Sequence, residues 1–308
     1  MTGPNSISNR SSEADLAAAA EVFDQVVGAG GQTDEVLHGN HPDCRVFVRE
    51  SDLGRYYLRV PADRWSHSAS VEARLLAAAS QAAVPVPETI WIGAVGDRGQ
   101  RGMVQRAVRG SSLDRVSGAA RSVAIPNLAQ CLKRLHEEVR HPTRLGDTRA
   151  FYETLASSPD QLQLRLAGIG MSLSPESAKV FHREASLLVQ ARRSLCHGDL
   201  RAEHVYVDDC QHVTAIIDFG QSLVAISILD YVTWSHCETL TEAEALMTHA
   251  AEGWSSVQLC VARISSFLGL AELNAGETGP GSFVATVIES LVWLENATLC
   301  QSVRGGEV

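Results

Sequence analysis

The sequence lacks a C-x-x-C pair although it holds seven cysteines: Cys44, Cys131, Cys196, Cys210, Cys237, Cys260 and Cys300. An odd, scattered set suggests neither a disulfide framework nor a structural zinc site, and a reducing, cytoplasmic setting is expected. No apolar stretch is long enough to span a bilayer, and the opening MTGPNSISNRSSEAD has neither the charged start nor the apolar run of a secretion signal. A soluble protein with no membrane partner is the expectation. Basic surplus is also missing: 26 Lys and Arg stand against 36 Asp and Glu, a net charge of -10, which argues against a nucleic-acid partner. Aromatic residues make up only 6%, little material for the cage that a quaternary ammonium ligand such as choline requires. There is no G-x-S-x-G elbow, no H-E-x-x-H pair and no Walker lysine, so serine-hydrolase, zinc-peptidase and P-loop chemistries lack their residues.

What is present suits a folded chain of one large domain or two lobes, with 308 residues of which 45% are hydrophobic. Residues 1 to 11 are polar and expected to be mobile. A helix is expected from the Ser12 cap to the glycines at 28, 30 and 31, followed by strands in EVLHG, CRVFVRE and RYYLRV. A helix over residues 68–82 leads to two further strands, VPVPETIWIGAV and QRGMVQRAV. Beyond Gly110 the pattern turns helical, around 123–139, 149–157, 175–192 and onward to about Cys300, with short strands only near Val205 and Ile216. This is an α+β pattern: a small antiparallel-sheet lobe over 1–108 and a mostly helical lobe over 109–308. No oligomer is called for, and a monomer is the default expectation. From Tyr231 onward nine acids face two bases, Arg263 and Arg304, giving 2 - 9 = -7. Either these are solvated helix faces, or they create a field that draws a cationic substrate.

One segment concentrates chemistry. LCHGDLRAEHVYVDD (195–209) is followed by AIIDFG, which ends at Gly220, so Asp199 and Asp218 lie nineteen residues apart across a short apolar alternation. That is the spacing of a base and a metal ligand delivered by neighbouring loops. With ISILDYV following, these motifs resemble the aminoglycoside phosphotransferase and choline kinase superfamily, whose usual form is close to H-G-D-x-x-x-x-N, then I-D-[FWY], then a later Asp. The resemblance implies a two-lobed protein-kinase-like fold and phosphoryl transfer from ATP or GTP to a hydroxyl. Its specific motifs cover some forty residues.

By that resemblance Asp199 orients the acceptor hydroxyl and takes its proton, and Asp218 binds Mg2+ on the nucleotide phosphates. His204 stands where most relatives carry the asparagine that is the second metal ligand. An imidazole ligates only when neutral and suits softer ions, so Mn2+ is a candidate as well. His197 and Asp230 match supporting positions that brace the loop. Arg59 occupies the place of the phosphate-holding lysine. Strand alternation sets Tyr57 and Arg59 opposite Tyr56, Leu58 and Val60, while Glu72 shares an apolar helical stripe with Leu76, Ala79 and Ala83; an Arg59–Glu72 ion pair satisfies both. Gly39, in the loop HGNHPDC, falls at the nucleotide-covering loop, although a plain hairpin reads there equally well. Gln105 to Val108, including Ala107, fall at the hinge that meets the nucleobase. Taken alone, Asp199 would read as a cap, Asp218 as a strand-end residue, His204 as a packed side chain and Arg59 as a solvated strand residue. The expected acceptor is a small polar hydroxylated molecule, first of all an aminoglycoside or aminocyclitol antibiotic. A metabolite (choline, homoserine, a thiosugar), another antibiotic, and a catalytically silent nucleotide-binding protein are the alternatives.

Overall fold

A computed structural model of the chain describes residues 13–36, 44–61, 68–97, 99–139, 145, 148–273 and 281–305. In chain order the elements are α1 (Glu13–Val27), β1 (Thr33–Val36), β2 (Cys44–Ser51), β3 (Gly54–Pro61), α2 (Ala69–Gln81), β4 (Thr89–Val95), β5 (Gln100–Arg106), β6 (Ser111–Ser112), α3 (Gly118–Glu138), α4 (Arg149–Leu155) and α5 (Pro159–Gly168). They continue with α6 (Pro175–Gln190), β7 (Arg193–Cys196), β8 (Val205–Val207), β9 (Val213–Ile216), β10 (Leu223–Ile226), α7 (Ile228–Cys237), α8 (Leu240–Ala250), α9 (Ser256–Leu273) and α10 (Gly281–Gly305). The architecture is the α+β one expected. No described helix is long and apolar enough to cross a membrane.

The chain forms two compact units, Met1–Val116 with Glu203–Gln221, and Ser117–Ala202 with Ser222–Val308. A single cut after residue 108 therefore does not describe them. The segment 203–221 returns to the first unit because β8 pairs with β6 and with β9, and the Ile216 amide donates to the Pro85 carbonyl at 2.8 Å. His204 and Asp218 thus belong to the same unit as Arg59 and Glu72.

The first unit is built on an antiparallel sheet in the order β1-β2-β3-β5-β4. Alternation sorts β3: Tyr56, Leu58 and Val60 are buried with Phe47, Val104 and, from α1, Phe23. Arg49 is also buried there, an arginine that its composition of neighbours did not announce. It donates to Thr33 Oγ1 at 3.0 Å and to the Ala20 carbonyl, pairs with Asp24, and lies over the Phe23 ring. The expected long strand from Val84 begins only at Thr89, because Pro85 and Pro87 have no amide to give a ladder.

The second unit packs helices around the buried Phe181, Tyr231 and Trp234, with Leu128, Leu132, Leu135 and Leu246. Its helix starts follow capping chemistry. Ser158 and Gln161 form a reciprocal capping box with Pro159 in the first turn, and Ser174 precedes Pro175. The α5 helix was not expected from apolar periodicity, although this box announces it. The α3 helix starts five residues earlier than expected, at Gly118, and carries Pro126 inside. Short strands are also not confined to β8 and β9: β7 and β10 pair with Cys196 opposite Leu223, and this pair delivers the chain to the loop that bears Asp199.

Candidate active site

In the first unit a hairpin brings two residues fourteen positions apart together. His204 precedes β8 and Asp218 follows β9; Val205 pairs with Ile216, and the Ile217 amide donates to the His204 carbonyl at 2.9 Å. The turn is fixed by Asp208, whose Oδ1 accepts from the amides of Cys210 and His212, both at 2.9 Å. His204 Nε2 then lies 3.9 Å from Asp218 Oδ2. Asp218 has a left-handed backbone, with φ of 65°, uncommon for a residue with a side chain and frequent at functional turns. His204 is buried and Glu203 is exposed.

Arg59 is the hub of this cluster. One guanidinium arm pairs with Glu72 Oε1, and the other donates to Asp218 Oδ1 at 2.5 Å. The planar fork lets one arginine serve two carboxylates, which a lysine ammonium does with less directional control. Burial alone would lower the Arg59 pKa, but the two facing carboxylates outweigh it and hold the group above its ordinary range. Glu72 is fully buried, and burial pushes its carboxyl up to about 7 despite the opposing pull of Arg59. An imidazole nitrogen and a carboxylate oxygen 3.9 Å apart can both bind one divalent cation. The donor set therefore fits such an ion, and suits Mn2+ at least as well as Mg2+.

In the second unit Asp199 sits on the loop after β7. Asp230, buried in the first turn of α7, accepts from the amides of His197 (Oδ2) and Gly198 (Oδ1), each at 2.9 Å. Gly198 has a φ of 83°, which suits glycine at this bend. The Asp199 amide donates to His197 Nδ1 at 3.3 Å, so that nitrogen carries no proton. Arg201 holds Asp199 Oδ2 at 3.0 Å. Sequence reading passed over Arg201, although its place two residues beyond Asp199 was visible.

Asp230 is itself backed by His136 on α3, whose Nε2 lies 2.9 Å from Asp230 Oδ2 and whose Nδ1 lies 2.6 Å from Glu252 Oε1. Burial alone would lower the His136 pKa, yet its bonds to the two acids raise it to about 9. It is an imidazolium inside the fold. Glu252 also accepts from Tyr231 at 3.0 Å and from Trp254 at 3.1 Å, and pairs with Ser227.

The remaining expected residues are placed as follows. Gly39 lies outside the described residues. Gln105 is buried in β5, opposite Tyr57 and Thr89. The Ala107 amide donates to the Arg55 carbonyl at 2.9 Å, so of its backbone groups the carbonyl is the one a nucleobase could use. The acidic segment beyond Tyr231 is not an open field. Glu238 and Glu242 pair with Arg121, Glu252 with His136, and Glu289 with Arg263, while Glu295 accepts from the amide and hydroxyl of Ser174. Five of its nine acids are thus engaged, and two of the cations come from α3, which a count along the segment omits.

The first unit thus holds a hairpin-borne acid and imidazole beside an ion-paired arginine, and the second unit an aspartate on a braced loop. The family described as the phosphotransferase enzyme family matches residues 34–260, and this chain belongs to it. Among solved structures the chain resembles the GDP complex of an aminoglycoside 2'-phosphotransferase (14% identity, TM-score 0.60, 92% of this chain and 99% of that one). It also resembles spectinomycin phosphotransferase in complex with ADP and spectinomycin (12%, 0.59, 92% and 98%). A thermostable mutant of an aminoglycoside phosphotransferase, in ternary complex with AMP-PNP and hygromycin B, is similar as well (15%, 0.59, 94% and 100%). No curated protein matches the sequence significantly.

Proposed function

We propose that this protein transfers the γ-phosphate of ATP or GTP to a hydroxyl of a small antibiotic of the aminocyclitol or aminoglycoside kind, one with few amines. The observation that carries the transfer step is the braced loop that presents Asp199, with Arg201 fixing one carboxylate oxygen. Asp199 orients the acceptor oxygen and takes its proton as the bond to phosphorus forms. Arg59, held by Glu72, grips phosphate oxygens, and Asp218 and His204 are the residues that would hold a divalent cation. When bound, such an ion neutralises charge on the nucleotide phosphates. The acceptor class is supported by what the similar structures hold, spectinomycin and hygromycin B. The low positive charge follows from the internal pairing of Glu238, Glu242 and Glu252, which leaves these acids little call for amines.

The test is a mass-resolved phosphorylation screen with ATP and GTP separately, Mg2+ or Mn2+, a panel of hydroxylated antibiotics and metabolites, and Asp199→Asn as control. A phosphorylated product absent in the control supports the reading and identifies the acceptor. Nucleotide bound without product from any acceptor would overturn it in favour of a silent nucleotide-binding protein. Salt dependence of the acceptor KM decides its charge: a polycation weakens steeply with ionic strength, whereas an acceptor of low charge changes little.

A further inference from the structure

In the His197–Ala202 loop, carboxylates accept from backbone amides at two points. Upstream, Asp230 takes the amides of His197 and Gly198, the supporting contact that the family motif already implies. Downstream, Glu238 Oε1 accepts from the Ala202 amide at 3.0 Å. Both acids belong to α7, Asp230 in its first turn and Glu238 at its C-cap. The two acids are eight positions apart, a rise of about 12 Å along the helix, so one rigid element holds both ends of the loop.

Each acid is backed in the same manner. Arg121, from the first turn of α3, donates through Nη2 to Glu238 Oε2 at 2.5 Å and to Glu242 Oε2 at 2.7 Å. Its guanidinium lies 5.5 Å from the Trp234 ring centroid, and the Trp234 indole donates to Glu242 at 3.3 Å. His136, near the end of the same α3, stands between Asp230 and Glu252. Two cations from one helix thus each bridge a loop-holding carboxylate and a second acid. A hydrogen bond to an ionised carboxylate is stronger than a neutral one, and a fixed cation keeps that carboxylate oriented.

We propose that Glu238, backed by Arg121 and Glu242, is a positioning residue for Asp199, closing downstream the clamp that Asp230 closes upstream. This rests on the reading of Asp199 as the group that receives the acceptor proton. It also assigns Glu238 and Glu242 to the loop and not to the acceptor.

Amide hydrogen exchange on the full chain tests the clamp without any substrate, resolved over residues 197–202 in wild type, Glu238→Ala, Glu238→Gln and the exposed control Glu138→Gln. In Glu238→Ala, Ala202 should exchange about tenfold faster or more, the loss of one charge-assisted hydrogen bond, while His197 and Gly198 keep their protection. Glu238→Gln retains an oxygen for the Ala202 amide and should recover part of the protection, and Glu138→Gln should match wild type. If the alanine variant does not fold, the glutamine variant still reads the Arg121 contribution, as faster Ala202 exchange than wild type. Nucleotide hydrolysis, with water as acceptor, gives the kinetic arm: kcat should fall about tenfold in Glu238→Ala at nearly constant nucleotide KM, with partial rescue in Glu238→Gln. Wild-type exchange at Ala202 in both variants, or faster exchange with unchanged kcat, would overturn the proposal. Absence of turnover in the wild-type protein would count against the phosphotransferase reading, and the exchange result would still decide the clamp.

Discussion

Replacing His136 by glutamine removes a buried positive charge from between two acids, and the consequence is a stability difference that depends on pH. The imidazole is almost fully buried, 2% exposed, with Asp230 at 2.9 Å and Glu252 at 2.6 Å. Tyr231 and Cys196 also face this cluster, and burial raises both, so they stay protonated through the neutral range. A histidine raised from 6.5 to about 9 contributes stability that is complete below 6.5 and is lost as pH rises through 9. The shift corresponds to about 3 kcal/mol. Glu252 is shifted the other way: burial would raise it, but His136 outweighs that and holds it below its usual range, so its contribution is lost only in acid. His136→Gln should therefore be destabilised by about 3 to 5 kcal/mol at pH 6, where two buried acids lose their counter-ion. The gap should narrow by about 3 kcal/mol by pH 10. Urea unfolding at pH 6, 7.5, 9 and 10, followed by fluorescence, measures this, since Trp234 and Trp254 report on the second unit. A gap of the same size at pH 6 and pH 10 would refute a charged His136.

Other substitutions test the remaining links. Arg59→Ala should weaken nucleotide binding and free Asp218 from its ion pair, whereas Arg59→Lys should keep binding and lose kcat, because a point charge cannot serve Glu72 and Asp218 through one planar fork; isothermal titration and steady-state kinetics separate the two. Mn2+ should support turnover at least as well as Mg2+, and His204→Asn should shift the preference toward Mg2+; an unchanged metal preference in that variant removes His204 from the site. Gly110→Ala should cost several kcal/mol of first-unit stability, since a Cβ there would lie 2.1 Å from the Val207 carbonyl oxygen at a φ of 94°; an unaltered thermal midpoint would contradict that packing.

Legibility in the sequence followed the range of the interactions. The Asp199 and Asp218 motifs, the β3 alternation and the Glu72 stripe are local patterns, and the Arg59–Glu72 pair was inferred from two of them and is present. The capping box at Ser158 was equally local and went unread, which cost a helix. Pro85 and Pro87 argued against a strand from Val84 as plainly as the alternation beyond them argued for one.

By itself the sequence determined the chemistry available: which strands alternate, where helices are capped, and the order in which acid, imidazole and arginine occur along the chain. Only the tertiary structure decided what each charge faces. Arg121 and Glu238 are 117 positions apart, and His136 and Glu252 are 116. No window along the chain contains both members of such a pair, so a local count read an acidic field where packing had placed α3 cations. The same reason explains why 203–221 joins the first unit: strand pairing with Ser111 and Ser112 and the Pro85 carbonyl are long-range hydrogen bonds, made only when the chain returns. Burial then sets the strength of these contacts, because removing water is what makes an ion pair in the fold worth more than the same pair in solution.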